Sequence, residues 1–147
     1  MNNPINTLIS KMKQPTNKEG MGKLYYSSYL FLITSLYALY NKLYTPAILT
    51  FYLFITSNVY WNDYNNNFKL CSDHYIIFIV IFYALYESIK IKYYKTFILL
   101  TYLFSIYIIS YIYSFKNNYT VSSNLWIFTH FMIASGLILL FNKMKTA

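Results

Sequence analysis

Arginine does not occur in this chain of 147 residues, cysteine occurs once, and only four residues are acidic. Each absence excludes something. A lone cysteine, Cys71, cannot close an intrachain disulfide, so a small secreted scaffold held by bridges is ruled out. With Asp73 and His74 nearby it still falls short of the four ligands usual for zinc. Without arginine the usual bidentate reader of guanine is missing. The twelve lysines gather in the leader, in turns and at the end of the chain rather than along one helix face, which argues against a nucleic-acid partner. Charged residues make up 11% of the chain, where a soluble domain carries roughly 25%. A soluble enzyme is excluded on that ground. The leader also lacks the arginine of a mitochondrial transit peptide, and it is too polar to be a cleaved signal.

Long charge-free runs are what the chain does have. Leu24–Tyr40, Leu43–Trp61, His74–Tyr86, Thr96–Phe115 and Asn118–Phe141 contain no Asp, Glu, Lys or Arg. About 20 apolar residues at 1.5 Å each cross a hydrocarbon core about 30 Å thick. Stretches such as YIIFIVIFYALY do not alternate polar with apolar, which argues against membrane β-strands. The expected fold class is therefore an all-α integral membrane bundle of about five transmembrane helices, spanning 24–40, 43–61, 73–90, 94–115 and 122–141. A polar N-terminal tail (1–23) precedes the bundle (24–142), and a short tail (143–147) follows it. The first two spans are divided only by Asn41-Lys42, and Pro46 falls in the first turn of the second, where a missing N–H costs little.

The bilayer is the expected partner. Lysines in turns suit anionic headgroups, and tyrosines at span ends (Tyr25, Tyr26, Tyr40, Tyr60, Tyr93, Tyr94) suit the aromatic belt. Tyr83 and Tyr107, deeper in their helices, need a hydrogen-bond partner each. Lysine counts tie at six on each side of a five-span bundle, so they do not orient it. Asn118-Tyr119-Thr120 is a glycosylation sequon set close against two helices. Lysine without arginine, with 19 Tyr and 12 Phe, is the composition of an AT-rich genome and resembles the coding bias of large DNA viruses of protists and of some AT-rich protists.

Ionisable groups at membrane depth are costly and mark candidate sites. Asp73 opens the third span and His130 lies within the last, while Ser57 and Trp61, four residues apart, share a face of the second. Antiparallel topology brings these four into one leaflet, with Trp61 and Asp73 at its surface. Ser57 then lies roughly 6 Å and His130 roughly 10 Å below them. Glu87 falls at the opposite surface and is set apart from the group, and His74 points away from Asp73.

Thr56-Ser57-x-x-Tyr60-Trp61, a short polar loop, Asp73 opening the next helix and a histidine in the final helix together resemble the CREST superfamily. That group holds the alkaline ceramidases and the progestin and adiponectin receptors. The resemblance spans roughly Thr56 to Gly136 and is closer to small viral and protist membrane proteins with Trp in place of the first zinc histidine. In the superfamily pattern a serine and histidines four apart flank an aspartate, and the histidines hold zinc. Here Ser57 and Asp73 match, Trp61 replaces one histidine, and Ala134 stands where a second would follow His130. The resemblance implies a membrane hydrolase or lipid receptor with zinc. An indole offers no lone pair, however, so the residues themselves supply too few ligands and no cofactor is expected.

Each residue also has a structural account. Ser72 or Asp73 suits the N-cap of its helix, Ser57 can bond its own backbone, and Trp61 suits an interface anchor. His130 can bond across to the second or third span. Glu87 and Lys90 form an i,i+3 pair, and Ala134-Ser135-Gly136 offers a small-residue patch for close packing. The expected function is a multi-pass membrane protein without catalysis, held by a Ser57–Asp73–His130 cluster. The alternative is a degenerate CREST-like hydrolase or lipid receptor in which Asp73 and His130 position a water or metal and Ser57 stabilises an oxyanion.

Overall fold

Each charge-free run forms a helix, because a chain with few water-facing side chains satisfies its backbone internally most simply by i→i−4 bonding. A computed structural model describes residues 18–63, 67–116 and 118–146. Every element there is helical: α1 (Lys18–Ser27), α2 (Tyr29–Tyr40), α3 (Tyr44–Asn62), α4 (Asn67–Lys90), α5 (Lys95–Phe115) and α6 (Tyr119–Thr146). Residues 1–17 of the polar leader lie outside the described residues.

The helix ends differ from the sequence reading. The first span, expected as one helix over 24–40, starts at Lys18 and is interrupted at Ser28. The hydroxyls of Ser27 and Ser28 donate to the carbonyls of Leu24 and Tyr25 at 3.0 and 2.6 Å. Phe31 N–H then reaches the Ser28 carbonyl by a tighter i→i−3 bond. Serine hydroxyls that take up carbonyls of the preceding turn bend or break a helix. At the other end of the chain, α6 runs to Thr146 and absorbs Lys143 and Lys145, which suit the negative end of its dipole. It also begins at Tyr119 rather than 122, since the Asn118 side-chain oxygen accepts the Val121 N–H at 3.4 Å and caps the first turn. The most consequential difference is α4. It starts at Asn67, so Asp73 stands nearly two turns inside it and is no N-cap. Absence of charge marks where an apolar run begins, not where a helix must.

Two turns at one end of the bundle share an uncommon geometry. Lys42 and Leu43 donate to the carbonyls of Leu39 and Ala38, and Lys92 and Tyr93 donate to those of Ile89 and Ser88. These are paired Schellman caps whose C′ residue must be left-handed. Glycine is the usual occupant, yet here lysine takes both positions, at φ 60° and 55°.

Packing separates the interior into two clusters. Phe31, Leu53, Val80, Leu137, Leu140 and Phe141 gather toward the end that carries the two lysine turns. Leu24, Tyr60, Trp61 and Trp126 gather toward the opposite end. Small buried hydroxyls along the helices bond back to their own backbones, including Thr34 to Leu30, Thr50 to Pro46, Ser88 to Ala84 and Thr129 to Leu125. Being satisfied locally, they can be buried at helix contacts and still let backbones approach. The Ser35 hydroxyl crosses from α2 to the Ala47 carbonyl of α3 at 2.7 Å.

Gly136 takes part in the close approach its neighbours suggest. A Cβ there would meet the Leu99 Cδ2 of α5 at 2.1 Å. That atom is the tip of a flexible side chain, so Gly136→Ala is expected to be near neutral, the helix gain offsetting a turned Leu99. Gly136→Leu overfills the contact and is expected to cost about 1–3 kcal/mol. Thermal unfolding of the two purified variants checks the difference.

Many large apolar side chains also lie on the outside. Ile48, Phe51, Tyr52, Ile55 and Val59 line one exposed face of α3, and Tyr75, Phe78, Phe82, Tyr86 and Ile89 line one of α4. Phe82 is 67% exposed, whereas Asp73 is 3% and Thr34 0% exposed. Among the described residues two helices, α4 from Phe68 and α6, are long and apolar enough to cross a membrane by length and composition. In α3 the tyrosines, threonines and Asn58 lower the hydropathy although its exposed face is apolar.

Candidate functional site

Four helices meet at the end of the bundle where α1 and α6 begin, and a line of polar contacts crosses them. On α4 the Asp73 carboxyl is buried, and its Oδ1 accepts the Ser57 hydroxyl of α3 at 2.6 Å and that of Thr56 at 3.2 Å. The next residue on α3, Asn58, donates through Nδ2 to the Ser28 Oγ at 2.9 Å and to its own helix at the Phe54 carbonyl. Beside Ser28, the Ser27 hydroxyl meets His130 Nδ1 of α6 at 2.7 Å. The contacts therefore run from Asp73 through neighbouring residues of α3 and of the α1–α2 break to His130.

Hydrogen-bond stoichiometry fixes two tautomers. Ser27 has one hydroxyl proton, and the Leu24 carbonyl can only accept it. Both Ser27 contacts form together only if His130 Nδ1 carries a proton and donates. His74 Nδ1 faces the Leu70 carbonyl at 2.9 Å, so it is the donor, and Nε2 is left to accept the Tyr107 hydroxyl at 3.4 Å. Tyr107 thus has the partner its depth requires.

Of the four sequence-predicted residues, the structure joins Ser57 and Asp73 directly. His130 is brought to the same end but bonds to α1, not to the second or third span, because α1 and α2 pack against both α3 and α6. Its ring lies 5.0 Å from that of Phe31. Trp61 is no interface anchor. It is 4% exposed and packs edge-on to Trp126 at 6.2 Å and beside Tyr60 at 4.6 Å. Its indole N–H has no hydrogen-bond acceptor among the described residues. Asp73, placed at a surface by the sequence, is interior for the same reason that it is no cap. Glu87 does pair with Lys90, at 3.7 Å, but is itself buried. Cys71 is exposed.

Sequence reasoning missed Ser27, Ser28 and Asn58. A Ser-Ser pair and a lone Asn inside otherwise apolar spans were the signals available. No family model, curated protein or solved structure matches the chain.

The zinc that the CREST resemblance implies does not fit these residues. Among the described residues no three His, Cys, Asp or Glu side chains come together. Asp73 and His130 are held by different serines, and Trp61 offers no lone pair, so the three protein ligands of a catalytic zinc are not assembled. What the arrangement does chemically is pin α1, α3, α4 and α6 at one level through one buried bond and several part-buried ones.

Proposed function

We propose that the chain is a multi-pass integral membrane protein of five spans, formed by α1 with α2 and then by α3, α4, α5 and α6. Its polar line from Asp73 to His130 joins helices and does not catalyse. The observation that carries this reading is the distribution of burial: many Phe, Ile and Tyr side chains face outward while Asp73, His130 and many of the serines and threonines are buried. In water such a bundle would expose an apolar surface far beyond the few hundred Å² that a soluble monomer tolerates. In hydrocarbon the same surface is solvated, and interior hydrogen bonds supply the cohesion that apolar contacts cannot. Lengths agree, since α1 with α2 covers 23 residues and α4 covers 24, about 34 and 36 Å at 1.5 Å per residue.

Topology mapping tests it. In a Cys71→Ser background, Lys42→Cys and Lys92→Cys are expected to react with an impermeant maleimide from one side of sealed vesicles, and Lys116→Cys from the other. Reaction of all three from one side contradicts five spans.

The Ser57–Asp73 bond favours a second reading, because these are two residues the CREST resemblance aligns. In it the protein is a degenerate membrane hydrolase or lipid receptor. Stoichiometric zinc in detergent-purified protein, lost in His130→Ala, would establish that reading over the first.

A further inference from the structure

Lysine counts tie between the two ends of the bundle, but the lysines differ in what they touch. Where α1 and α4 begin, Lys23 is held by Glu19 at 2.7 Å and Lys69 by Asp63 at 2.8 Å, leaving Lys116 among the described side chains of that end. At the opposite end Lys42, Lys92, Lys95, Lys143 and Lys145 are all exposed, and none pairs with an acid among the described residues. Tyr40, Tyr44 and Tyr94 stand exposed around them.

Helix dipoles explain part of this arrangement. Lys90, Lys143 and Lys145 lie in last turns, where a cation faces the negative end of its helix. Lys95 opens α5, where a cation meets the positive end instead, and no acid stands in that first turn. Lys92, three residues before it, holds a left-handed conformation that glycine adopts without steric cost. Two exposed ammonium groups three residues apart at one turn, neither paired with an acid among the described residues, make a place for an anion. The uncapped start of α3, beside Lys42, adds a second positive helix end nearby.

We infer that the α4–α5 turn, through Lys92 and Lys95, binds the phosphate of an anionic phospholipid headgroup, with Lys42, Lys143 and Lys145 as the surrounding positive rim. This rests on the membrane reading above. A span that ends in exposed tyrosines places its turn among headgroups, where phosphodiesters are the abundant anion.

Short-chain phosphatidylglycerol, phosphatidylcholine of the same chain length, and inorganic phosphate are added separately to the full-length protein in neutral detergent, and thermal unfolding is followed. Phosphatidylglycerol is expected to raise the midpoint, and added salt to cancel the rise. Phosphatidylcholine is expected to leave it unmoved. Lys92→Gly separates charge from conformation. It relaxes the left-handed residue, so the midpoint without lipid should rise while the response to phosphatidylglycerol is largely lost. Lys95→Gln should lose the response as well, and the double variant Lys23→Gln/Lys69→Gln should keep it. An equal response to both lipids, a full response in Lys92→Gly, or an equal shift with inorganic phosphate overturns the assignment. A protein that stays folded and dispersed without detergent overturns the membrane reading instead.

Discussion

Phe78→Lys is expected to abolish stable insertion of α4, the largest effect of any single surface change in this chain. Phe78 is 57% exposed and lies near the middle of a 24-residue helix. In water a lysine at so exposed a site would change stability by no more than about 0.5 kcal/mol. At the centre of a membrane helix the same lysine costs about 2.5–3.5 kcal/mol of insertion free energy. A protein-length insertion assay that compares Phe78→Lys with Asn62→Lys, an exposed position at the end of α3, separates the two environments. The expected result is a large loss for the first and little change for the second. Equal tolerance would mean that the apolar outer face meets water.

Asp73→Ala is expected to lower the unfolding free energy in detergent by about 1.5–3 kcal/mol, since a buried carboxyl and two hydroxyls lose their bonds together. Ser57→Ala should cost less, because Thr56 still reaches Oδ1. A double-mutant cycle between Asp73→Ala and Ser57→Ala should return a coupling of about 0.5–3 kcal/mol. Between Asp73→Ala and His130→Ala the costs should add to within about 0.5 kcal/mol, as expected of separated residues with no shared partner. His130 draws its stability from Ser27 and the Phe31 ring. Strong coupling between Asp73 and His130 would restore the three-residue cluster that the sequence suggested.

The residues themselves show why some of this was legible before the structure. Runs without charge located the helices apart from the Lys18–Lys23 start of α1, and antiparallel order was enough to bring Ser57 to Asp73, because only residues 63–66 separate α3 from α4. Helix ends were not legible in the same way. Asn67–Ser72 mixes polar and apolar residues and contains nothing that stops a helix, so α4 could start early and carry Asp73 inward. The partner of His130 depends on how the helices are arranged around the bundle, and periodicity along one helix does not report that arrangement. Trp61 shows a related ambiguity, since an indole near the end of a span suits a membrane surface and a core equally well. The left-handed lysines 42 and 92 were hidden because the residue that signals such a position, glycine, is absent from both turns.

Cell membranes containing the full-length protein, washed in alkaline carbonate and then separated by sedimentation, put the membrane assignment to its most direct test. The chain should stay with the sedimented membranes and enter solution only when detergent dissolves them. Its release into the aqueous supernatant as a folded, monodisperse protein would contradict the account at its root.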